Sequence, residues 1–92
     1  MLEMDDVNAL WYRRLAIDRY AELLIEGFDR MYRDGAQTGR LLVLNLHPWL
    51  IGQPFRIGYL DAALSEMVRR QGVWAATGAE ITEWYRQHPP AA

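Results

Sequence analysis

The residues best suited to chemistry lie in R-L-L-V-L-N-L-H-P-W-L-I-G-Q-P-F-R-I, from Arg40 to Ile57, and the first among them is His47. A histidine titrates near neutral pH, so it can take up or release a proton during a reaction. The continuous apolar run Leu41 to Leu44 before it predicts a strand covered on both faces, and Pro48, Gly52 and Pro54 then break the chain. His47 is therefore expected at the carboxyl end of a strand, the edge where parallel α/β folds bind ligands and barrel enzymes keep catalytic groups. The alternative is a histidine bonded to backbone in the core. Trp49, two residues further on, is a candidate for lining a substrate pocket from the same turn, and Asp5 and Asp6 are candidates for the same pocket. Glu3, Asp5 and Asp6 could offer a base or a metal ligand, although a solvated acidic turn is the commoner reading. His88, beside Pro89 near the end of the chain, suits an exposed position.

Positioning these groups requires an ordered frame, and the pattern of apolar residues supplies one. Met1 to Trp11 shows no period and reads as an extended or loop segment. Tyr20, Leu23, Leu24, Phe28, Met31 and Tyr32 recur at three- and four-residue steps, which predicts a helix from Asp18 to the Asp34-Gly35 stop. After the strand, Ile57, Leu60, Leu64, Met67 and Val68 predict a second helix that begins near Pro54 and ends at Gln71-Gly72. Val73 to Ala76 has strand length. Thr77-Gly78-Ala79-Glu80 fits a capping box, so a third helix is expected with Ile81, Trp84 and Tyr85 inward and Pro89-Pro90 as its stop. The order is helix, strand, helix, strand, helix, with parallel strands and a right-handed crossover. Two such strands make no stable open sheet, because their edges stay unpaired and both faces need cover. The chain thus reads as part of a larger α/β structure.

Composition narrows the function classes. At 92 residues the chain is one small domain at most, expected to bury only roughly 60 to 65% of the surface of its unfolded form. Its hydrophobic content of 51% and four Trp argue for a folded chain. The net charge is −2, and the ten basic residues are all Arg, scattered rather than gathered into a stripe. Nucleic acid is therefore not expected as a partner. With no Cys, disulfides and thiolate metal sites are excluded, and the two histidines have no metal-ligand spacing. No G-x-S-x-G elbow, Walker loop or G-x-G-x-x-G fingerprint is present. No apolar run approaches the ~18 to 20 residues of a membrane span, and M-L-E-M-D-D is not a signal peptide, so a cytoplasmic location is expected. Trp11, Trp49, Trp74 and Trp84 could stack on sugar rings, but packing is the better reading for most of them, Trp74 in a strand and Trp84 on a helical apolar face, with Trp49 as the exception that could line a pocket.

Read together, L-N-L-H-P-W-L-I-G-Q-P-F-R-I, the early E-M-D-D-V, F-D-R-M-Y-R-D-G and G-V-W-A-A-T-G-A-E-I-T-E-W-Y resemble the last part of the polysaccharide deacetylase (NodB-homology) family, in its allantoinase-like branch. The likeness runs from Glu3 to about Tyr85 and rests on the L-x-L-H form Leu44-Asn45-Leu46-His47 with its surroundings. The resemblance implies that residues 1–92 form the C-terminal portion of a distorted (β/α) barrel. It also implies a metal-dependent hydrolase of non-peptide C–N bonds, acting on N-acetyl groups of sugars or on another small amide. The match to His47 implies a general acid that protonates the departing nitrogen. The family's T-F-D-D-G and H-x-x-x-H motifs, which bring base and metal, are absent, and Asp5-Asp6 lacks the flanking Thr-Phe and Gly. No metal is therefore expected in this chain, while a divalent ion, usually zinc, is expected in a full-length relative. The chain alone is expected to be inactive, with the missing barrel half or a second copy as partner. The alternative is a non-catalytic remnant that works by association.

Overall fold

A computed structural model describes residues 4–89. Its elements are a π-helical segment, Val7–Tyr12, and four α-helices: α1 (Ile17–Asp34), α2 (Pro48–Ile51), α3 (Ile57–Val68) and α4 (Gly78–Gln87). Helix α1 forms because its apolar residues keep a four-residue step. Tyr20, Leu24 and Phe28 make one fully or nearly buried stripe, and Gly35 follows the last turn. Against it lies α3, through Leu60, Ala63 and Met67. Ala9 and Ile51 complete this core from the two shorter elements, together with Met4 just ahead of the π-helical segment. Gly27 lets the first segment approach closely, since a Cβ there would fall on the end of the Met4 side chain.

The far end of the helix pair is fastened by polar contacts. Tyr32 donates its hydroxyl hydrogen bond to the Gln71 carbonyl at 2.6 Å, and Arg70 reaches Asp29 at 3.1 Å. The same guanidinium lies over the Tyr32 ring, 5.5 Å from its centre. Gly72 then turns the chain with φ of 86°, a conformation that a side chain would strain.

The expected barrel portion is not what the chain forms. Among the described residues there is no strand and no sheet, so the helix-strand-helix-strand-helix order with parallel strands is overturned. A strand needs a ladder partner, and the two extended segments, 41–46 and 73–76, make no backbone ladder with each other. The first segment instead lies on the helices by one face. Leu42, Leu44 and Leu46 are half-buried against the core, while Leu41 and Val43 point outward at 58% and 69% exposure. The apolar run thus has one covered face, not two.

Three boundaries also differ. The stretch read as extended near the start is π-helical from Val7, because the Asp5 carboxylate accepts the Val7 N–H at 2.8 Å and opens the turn. Pro48 begins a helix instead of ending one, and Pro54 sits in the turn before α3. Helix α4 has the expected capping box, with Thr77 Oγ1 accepting from the Glu80 N–H and Glu80 Oε1 accepting from the Thr77 N–H. Yet it buries no residue, and Trp84 and Tyr85 are exposed, packing on each other and not inward. The Pro90 stop lies outside the described residues. A radius of gyration of 14.7 Å, against about 12 Å for a compact chain of this length, agrees with that open arrangement. No helix among the described residues is long and apolar enough to cross a membrane.

Candidate functional site

The π-helical segment and the turn into α2 bring residues 41 positions apart into one polar cluster. Asp6 is fully buried. Its Oδ2 accepts the His47 backbone N–H at 2.7 Å, and its Oδ1 lies 2.7 Å from His47 Nδ1. The Asp6 N–H donates in turn to the Asn45 carbonyl at 3.4 Å. Beside this pair, the Asn45 side-chain amide donates to Asp5 Oδ2 at 2.9 Å, and that bond is the main cause holding the Asp5 carboxyl below its ordinary pKa. His47 itself is the N-cap of α2, its carbonyl accepting from Leu50 and Ile51. Pro48 at the first helical position fixes the backbone that follows. The ring is thus held from both sides of its own residue.

Below the cluster, Tyr20 is almost fully buried and donates its hydroxyl to the Met4 carbonyl at 2.6 Å, two residues before Asp6. Burial first, and then the nearby Asp6 and Asp5 charges, push its pKa up, so the hydroxyl keeps its proton. Tyr20 therefore works as a fixed donor that anchors the peptide carrying both acids.

With Asp6 as the acceptor of the short Asp6–His47 contact, the proton lies on Nδ1 and Nε2 is the nitrogen left to exchange one. Nε2 has no partner among the described residues, and the His47 side chain is 36% exposed. This is the arrangement of an oriented acid–base histidine, with a buried carboxylate setting its tautomer. The cluster also gathers donor atoms of the kind that hold a cation. Asp5, Asp6 and His47 do place one donor atom each within 4.8 Å of one another. All four carboxylate oxygens, however, already accept a hydrogen bond, and the Asp6 oxygens face the protein interior. Each of those oxygens keeps a second lone pair, so these bonds do not exclude a cation at the group.

The structure thus unites three of the residues singled out from sequence, His47, Asp5 and Asp6, and sets Trp49 beside them with ring centres 6.1 Å from His47. Glu3 lies outside the described residues. His88 is not brought in. Its ring stacks on Trp84 at 4.3 Å and its Nδ1 lies 2.9 Å from the Trp84 carbonyl. Sequence reasoning left Trp11, whose indole meets Trp49 edge-on at 6.0 Å, with the packing residues, and it missed the roles of Asn45 and Tyr20. For Tyr20 a signal existed, since a phenol on a buried helical stripe needs a partner for its hydroxyl.

A buried carboxylate holding a partly exposed histidine defines a candidate acid–base site, and one comparison finds a relative. The chain is 30% identical, over 66 residues, to a Schizosaccharomyces pombe protein named provisionally as a polysaccharide deacetylase. The match covers 70% of this chain and 21% of that relative, so the chain spans about a fifth of its length. This likeness suggests a hydrolase family and does not reach the allantoinase-like branch. No family profile and no solved structure matches the chain.

Proposed function

We propose that this chain contributes the general acid to a hydrolase that cleaves a non-peptide amide C–N bond, with an N-acetylated sugar as the leading substrate class and a small ureide-type amide as the alternative. The observation that carries the reading is the 2.7 Å bond from buried Asp6 to His47 Nδ1. Support comes from the likeness to a relative named as a polysaccharide deacetylase. In amide hydrolysis, water oxygen adds to the carbonyl carbon, and the C–N bond then breaks as nitrogen takes up a proton. His47 supplies that proton from Nε2 in its doubly protonated form and is left as the neutral Nδ1–H ring, which Asp6 keeps from turning away.

The T-F-D-D-G and H-x-x-x-H motifs that bring base and metal in the resembled family are absent from this sequence. Any metal and base come from other polypeptide. The chain alone is therefore expected to release no acetate from N-acetylated chitooligosaccharides above the buffer rate. Turnover that survives chelation and repurification contradicts this.

A second reading, association, rests on a separate observation. Leu41, Val43 and Trp74 are exposed on extended segments whose backbones have no ladder partner. Light scattering is expected to show a mass above that of a monomer which falls on dilution. A monomer at all concentrations removes this reading.

A further inference from the structure

We propose that residues 40–44 pair edge to edge with the same residues of a second copy of the chain, as an antiparallel ladder centred on Leu42. This names the partner and the surface of the association reading above, and rests on it. Among the described residues, no backbone N–H or C=O from Arg40 to Leu44 bonds to another backbone group. An extended backbone in that state is completed by a second extended backbone or by water alone.

The side chains of the stretch alternate. Leu42 and Leu44 lie half-buried on the helices, while Leu41 and Val43 face outward. The backbone is sorted in the same way, since an extended chain turns the N–H and C=O of successive residues to opposite edges. The Asn45 carbonyl accepts the Asp6 N–H, so the edge served by Leu41, Val43 and Asn45 faces the π-helical segment. The edge served by Arg40, Leu42 and Leu44 is left open.

Charge and apolar cover choose a second copy for that edge. Centring on Leu42 sets Leu41 of each chain beside Val43 of the other, so the outward side chains cover each other. Arg40 falls opposite Leu44, which keeps the two arginines at opposite ends of the ladder, whereas parallel copies would bring them together. Because the other edge is turned to the π-helical segment, the pairing closes at two chains and does not grow into a fibre. A ladder this short is weak by itself, which suits a complex that dissociates on dilution.

The test uses the whole chain, which has no cysteine of its own. L41C and V43C are prepared separately and oxidised, each alone and as an equimolar mixture. Directly opposed residues have Cα atoms about 4.5 to 5.5 Å apart, inside the range a disulfide spans, whereas each new Cys lies about 7 Å or more from its twin in a dimer of one variant. The mixture is expected to form disulfide-linked dimer roughly tenfold faster than either variant alone. In the parent, at concentrations where light scattering shows association, amide exchange is expected to slow at Arg40, Leu42 and Leu44 and not at Leu41 and Val43. Chains that associate with no advantage for the mixture, or without that alternation, overturn the ladder and leave association through another face standing. Chains that stay monomeric at all concentrations end both.

Discussion

Replacing His47 by Ala or Asn, in a polypeptide that adds the missing base and nucleophile to this chain, is expected to lower kcat by roughly 10² to 10⁴. The apparent substrate affinity should change little, because the proposed role of the ring is at the departing nitrogen and not at the bulk of the ligand. The histidine bonds Asp6 through its backbone N–H as well as through Nδ1, so the Asn variant keeps half of that attachment. A structural histidine predicts a different pattern, with activity lost only in proportion to the unfolded fraction. Measuring kcat and melting temperature on the same variant separates the two. A folded His47→Asn protein with full kcat removes the residue from the mechanism.

The second large effect belongs to Asp6. Its carboxylate is fully buried and satisfies two donors of one residue, so Asp6→Ala leaves both unpaired beside a cavity. The expected cost is about 3 kcal/mol, within the range for one partner lost from a buried charged pair. For a domain this small that is a large fraction of the total, and the melting temperature should fall by roughly 10 °C or more. Asp6→Asn is milder in volume but places an NH₂ group against one of the two donors. Chemical denaturation of the two variants checks the order, with Ala and Asn both below the parent. A variant as stable as the parent would show that the bond contributes nothing to the fold.

How much of this was legible in the sequence differs by element. Helix α1 was, because Tyr20, Leu24 and Phe28 keep one face without help from distant residues. The α4 capping box was equally local, being set by Thr77 and Glu80 three positions apart. The strands were not. Leu41 to Leu46 has strand composition, but a strand is defined by a partner, and none lies within the described residues. Trp84 was misplaced for a related reason. Its spacing marks an apolar face, and spacing alone cannot say whether anything covers that face.

At the site, His47 was found from its place after an apolar run, and Trp49 from its nearness. The partnership with Asp6 was not visible, since no local rule links residues 41 positions apart. Asp5-Asp6 was compared with a metal-binding pattern and lacked its flanking residues. Its actual work is to open the π-helical turn and to hold the histidine. Trp11 was left with the packing residues because large aromatic side chains usually supply core volume, and here its exposure reverses that expectation.

The central claim is that buried Asp6 fixes the Nδ1–H form of His47 and leaves Nε2 for proton transfer. Nitrogen-detected NMR of the histidine rings in the 92-residue chain, above the pH at which the ring is protonated, reads this directly. The account predicts that His47 carries its proton on Nδ1, with a downfield Nδ1–H signal that disappears in Asp6→Asn as the ring changes to the Nε2–H form. A neutral His47 that already carries its proton on Nε2 in the parent chain, or a tautomer unchanged by Asp6→Asn, would contradict it.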